Sequence, residues 1–153
     1  MSHAPSTIDH AARLQRGRSP IVTARIVVAL VGVALPYLAR IPGTFSRGPD
    51  WLTSYFASGF GAIVMLSAFN AINWGAIVLC SLAFHSLPAV VVAAVVGFAL
   101  PLYGHATLDL AADAQAGIAL IFIPIYSLPL VGLGWLLGLG VDRVWRRRSG
   151  RAV

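Results

Sequence analysis

Apolar residues fill four long stretches of this chain, at about residues 21–39, 59–84, 88–103 and 114–141. Each is comparable to the roughly 20 residues a helix needs to cross a bilayer. No stretch alternates polar and apolar over about ten residues, as the strands of a membrane barrel do. The pattern predicts an all-α protein, a single integral membrane bundle of four transmembrane helices over residues 20–142.

Polar breaks set the boundaries. Residues 1–19 are polar and hold Arg13, Arg16 and Arg18, which reads as a short disordered tail before the first span. Residues 40–58 carry the turn pairs Pro42-Gly43 and Gly48-Pro49, followed by Trp51, Tyr55 and Phe56, aromatics suited to a membrane–water boundary. The turn between spans two and three has two candidate places. One is His85-Ser86-Leu87-Pro88. The other is residues 70–74, which would make the spans 51–69 and 75–103. Both registers contain four spans. The fourth stretch is about 42 Å long as a helix, against a hydrocarbon core of about 30 Å. Pro124 and Pro129 are its kink sites.

Composition sharpens the class. The chain is 58% hydrophobic and only 10% charged over 153 residues, whereas soluble domains carry about 25% charged residues. Every basic residue is arginine and every acid is aspartate, as in a GC-rich bacterial genome. Nine arginines flank the two ends of the chain, and two, Arg40 and Arg47, fall between spans one and two. By the positive-inside rule both termini face the cytoplasm, and the location expected is a bacterial inner membrane. Arg25 lies one turn inside the first span and would snorkel to the interface. The basic end at 143–153, with Arg143, Arg146, Arg147 and Arg148, is expected to touch anionic lipid headgroups rather than nucleic acid. A basic start before an apolar run also fits a signal peptide, but no small-x-small cleavage site follows, so the run is expected to stay as a span. The lone Cys80 sits inside an apolar run and reads as a small buried hydrophobe.

Three groups of residues stand out. His105, Asp109 and Asp113 are spaced by four, so a continuous helix would put them on one face, suited to a metal ion or to proton transfer. The plainer reading has His105 ending the third span, Asp109 in solvent and Asp113 capping the fourth helix. Asn70 and Asn73 share a face at mid-span, either lining a polar site or bonding to a neighbouring helix. Gly134 and Gly138 form the small-x-x-x-small spacing that lets helices approach closely. Replacing both with isoleucine is expected to disturb assembly.

Other chemistry is poorly supported. His85 and His105 stand about 30 Å apart along one helix, too far to hold one haem between them. No phosphate loop, zinc-protease motif or nucleophile elbow appears. The predicted span cores hold no carboxylate, which disfavours proton-driven drug export. No metal and no cofactor is expected.

The stretches Leu66-Ser-Ala-Phe-Asn70-Ala-Ile-Asn-Trp74-Gly75 and Leu108-Asp-Leu-Ala-Ala-Asp113 through Tyr126 resemble segments of small bacterial four-span membrane proteins of unknown function. The resemblance covers the C-terminal two-thirds and favours 59–84 as one span. It carries no activity and so transfers no functional residue. The function expected is contact: an accessory subunit, a homo-oligomer or an immunity-type protector. The alternative is an oligomeric channel or transporter for a small solute, with Asn70, Asn73, Asp109 and Asp113 on its path.

Overall fold

The computed structural model describes residues 7–57, 59–112 and 115–149, with side chains from residue 20 onward. It contains seven helices among them: α1 (Thr7–Leu38), α2 (Ile41–Arg47), α3 (Asp50–Thr53), α4 (Phe60–Ser81), α5 (Leu87–Thr107), α6 (Ala116–Tyr126) and α7 (Leu128–Ser149). Four segments are long and apolar enough to cross a membrane: Pro20–Arg47, Phe60–Ser81, Leu87–Thr107 and Ala116–Ser149. The four-helix membrane bundle is therefore the fold.

The turn between spans two and three lies at residues 82–86, and residues 70–74 run unbroken inside α4. Trp74, an unexpected side chain at mid-span, has a seat: a Cβ at Gly32 of α1 would overlap its side chain. The helix at the N-terminus begins at Thr7, in the stretch where sequence alone predicts an unstructured tail. The break 40–58 folds into α2 and α3, with Gly48 and Gly59 at positive φ where the chain reverses.

The fourth stretch is two helices meeting at Ser127. Pro124 and Pro129 supply no N–H, so the carbonyls four residues before each lose their helical donors. The ladder is weakest between them, and there the helix is interrupted.

α5 is the centre. It packs on α1, α4, α6 and α7. Its inward stripe repeats every four residues as Ala89, Ala93, Gly97, Pro101 and His105, all buried. The facing stripe of α7 is Val131, Gly134, Gly138 and Asp142. The two run antiparallel in register. A Cβ on Gly97 would touch Val131, one on Gly134 would sit 2.9 Å from the Ala93 carbonyl oxygen, and one on Gly138 would sit 3.1 Å from that of Ala89. One step further, His85 meets Asp142. Small residues let these two backbones come close, which is what drives helix association in lipid. The Gly134–Gly138 pair thus packs inside the chain.

Candidate functional site

Buried polar groups fall at three levels of the bundle. The first lies where α1 ends. Arg40 is 1% exposed, although its place after an apolar run marks it as a surface residue. Its Nε donates to the Trp51 carbonyl at 2.6 Å. Its Nη1 donates to the carbonyls of His105 (3.3 Å) and Leu108 (2.8 Å). Its Nη2 donates to Ser54 Oγ at 3.1 Å. The guanidinium carbon lies 3.9 Å from the Trp51 ring centre and 4.1 Å from that of Tyr55. Trp51 and Tyr55 are therefore buried around a cation, not spread at the boundary as their composition suggests. Among the described residues no carboxylate pairs with Arg40.

The helix geometry explains this choice. The last carbonyls of α5 have no intrahelical donors and form the negative end of its dipole. Arg40 satisfies two carbonyls at that end and ties them to the 51–55 turn. Tyr55 continues the network, its hydroxyl 3.0 Å from Nδ1 of the fully buried His105. Burial pushes the Tyr55 phenol above its ordinary range, with Arg40 pulling it back. The phenol stays protonated and shares one hydrogen bond with Nδ1, whose direction follows the imidazole tautomer. The other ring nitrogen, Nε2, is buried and has no hydrogen-bond partner among the described residues.

The second level is at mid-span. Asn73 Nδ2 donates to the Gly97 carbonyl at 3.1 Å and to Ser127 Oγ at 2.5 Å. Gly97 is the residue whose carbonyl Pro101 leaves without a helical donor. Asn73 therefore replaces the hydrogen bond that Pro101 removes. Ser127 passes the chain on to the Pro124 carbonyl at 2.6 Å. Of the two readings of this pair, Asn73 takes the structural one. Asn70 is also buried, and its Nδ2 has no hydrogen-bond partner among the described residues.

A double-mutant cycle tests the repair. Asn73→Leu should cost about 1–2 kcal/mol, the desolvation of an unpaired carbonyl. In a Pro101→Ala background Gly97 regains a backbone donor, and the same change should cost clearly less. Unfolding in mixed detergent measures both, and equal costs would refute the pairing.

The third level lies at the opposite end, where α4 stops and α5 starts. Arg25 Nη2 donates to the carbonyls of Ser81 (2.9 Å) and Phe84 (3.3 Å). It caps α4 rather than snorkelling free. Asp142, 1% exposed, accepts from the His85 amide at 3.1 Å and lies 3.3 Å from Arg146 Nε and 3.6 Å from His85 Nδ1. A carboxylate beside the start of α5 complements the positive end of that helix.

No family model, curated protein or solved structure matches this chain.

The remaining sequence candidates lie apart. α5 ends at Thr107 and Leu108 is extended, so His105 and Asp109 do not share a helical face. Asp109 Oδ1 accepts from the amides of Ala111 and Ala112 at 2.9 and 3.3 Å, a local turn. Asp113 lies outside the described residues. Among those residues no three His, Cys, Asp or Glu side chains are placed to hold a metal. Arg143, Arg147 and Arg148 are exposed along the end of α7, as is Arg146 in large part. The sequence signals of these buried charges are Arg40 between Tyr37 and Trp51, and Asp142 four residues beyond Gly138.

Proposed function

We propose that this chain is a small multi-pass protein of a bacterial cytoplasmic membrane that acts by contact with another membrane protein, as an accessory subunit or a protector. One observation carries the reading. A lateral groove of about 760 Å³ runs between α1 and α5, from Pro20 and Leu87 at one end to Leu38 and Leu102 at the other. Pro20 to Leu38 spans about 27 Å of helix, close to a hydrocarbon core of about 30 Å. Its walls are apolar, and Ala24, Ala94 and Ala99 keep them shallow. Such a surface favours one transmembrane helix of a partner, since small residues let helices approach.

Both termini are proposed to face the cytoplasm. Nine arginines at the two ends stand against Arg40 and Arg47 in the 40–58 connection, the asymmetry that sets orientation. Arg143, Arg146, Arg147 and Arg148 would then meet anionic headgroups.

Val95 is 67% exposed on the groove wall. Val95→Cys in a Cys80→Ala background should cross-link to a distinct protein that also co-purifies in mild detergent. Cross-links only between copies would favour a homo-oligomer. A bare monomer with no cross-link would reject contact as the function.

A second reading, an oligomeric channel or transporter for a small solute, draws on the buried Asn70, whose Nδ2 has no hydrogen-bond partner among the described residues. Labelling of Asn70→Cys by a water-soluble thiol reagent, again without Cys80, would favour it.

A further inference from the structure

A separate cavity of about 330 Å³ lies between the first halves of α4 and α6, under the Ser54–Tyr55 turn. Met65, Leu66 and Phe69 form one wall, and Leu120 and Ile121 the other. Ser54 and Tyr55 give it a polar corner, and both touch Arg40: Nη2 reaches Ser54 Oγ at 3.1 Å, and the guanidinium carbon lies 4.1 Å from the Tyr55 ring centre. Arg40 has five N–H donors; four go to Trp51, His105, Leu108 and Ser54, and the Tyr55 hydroxyl also takes a side-chain hydrogen bond from it. Its charge has no carboxylate among the described residues. Arg40 is 1% exposed and lies behind that corner, so its charge acts on the cavity through low-dielectric protein, where an anion is attracted more strongly than in water. The rest of the wall offers only apolar contact. At about 300 Å³ and upward a pocket takes a small organic ligand, and this one is at the narrow limit.

We propose that the cavity binds a single-chain amphiphile with an anionic head, the head at the Ser54–Tyr55 corner in front of the Arg40 charge and the chain between α4 and α6. A fatty-acid carboxylate and a lysophospholipid phosphate share this chemistry. The proposal stands apart from the α1–α5 groove and does not depend on a protein partner.

Gly117 provides the variant. It lines the cavity, and a Cβ there would meet nothing within 4 Å. Gly117→Phe should fill the space without disturbing the backbone, and the half-exposed Met65→Trp does the same from the α4 side. The full-length protein in dodecylmaltoside is titrated with palmitate, palmitoyl lysophosphatidylglycerol, hexadecanol and hexadecyltrimethylammonium, and adducts are counted by native mass spectrometry. The wild type should retain one equivalent of an anionic probe. Retention of palmitate alone assigns a carboxylate head, and of the lysolipid alone a phosphate head. Each cavity-filling variant should weaken binding about tenfold. Three results overturn the proposal: no anionic adduct, equal retention of hexadecanol or the cationic probe, or undiminished binding by both folded variants.

Discussion

Replacing Arg40 with methionine should destabilise the folded protein by about 3–5 kcal/mol, the largest effect expected of any single change here. Methionine keeps the bulk of the stem but donates nothing. It would leave the carbonyls of His105 and Leu108 without a side-chain donor, while that of Trp51 would keep only Ser54 Oγ. Each buried unsatisfied acceptor costs about 1–3 kcal/mol, and two aromatic faces lose their cation. Lysine restores the charge but not the fork, so Arg40→Lys should recover only part of the loss. The measurement is the unfolding midpoint in a detergent series, followed by circular dichroism. A midpoint within about 0.5 kcal/mol of wild type would mean that water already satisfies these carbonyls.

Gly134→Ile and Gly138→Ile should each cost about 3 kcal/mol, at the upper end of overpacking. A Cβ at Gly134 meets backbone, the Ala93 carbonyl at 2.9 Å, which cannot rotate away. At Gly138 it would fall 2.5 Å from the Phe84 ring as well as close to the Ala89 carbonyl. α5 and α7 must part for either change, and the Asp142–His85 contact parts with them. Gly132 and Gly140 lie on the same helix, and a Cβ on either meets nothing within 4 Å. Gly132→Ala and Gly140→Ala should be neutral or stabilising by up to about 1 kcal/mol. The sequence spacing suggests that the first pair governs assembly between chains. The packing predicts instead a loss of stability with unchanged size in detergent. A change of oligomeric size without loss of stability would reverse that conclusion.

Much of this was open to reading in the sequence, because a bilayer leaves a chain few options. Long apolar stretches with few charges must become helices, since lipid satisfies no backbone group. That logic gave four spans, and the two prolines Pro124 and Pro129 marked where the fourth is interrupted. The small-residue spacing of Gly134 and Gly138 also marked a close helix contact. Its partner was not legible, because the same spacing serves contacts within and between chains.

The rest depended on which residues tertiary packing brings together. Asn73 and Pro101 are 28 positions apart, and nothing local links an amide to a missing N–H on another helix. Arg40 reads as a topology signal until the end of α5 is placed beside it. Trp51 and Tyr55 have the composition of a membrane boundary, and only their position around Arg40 takes them inside. The sequence by itself determined the class of fold, because hydrophobic length is a local property set against a solvent of fixed thickness. The tertiary structure decided what the few polar residues do, because a buried charge or amide takes its role from whichever unsatisfied group the packing delivers to it.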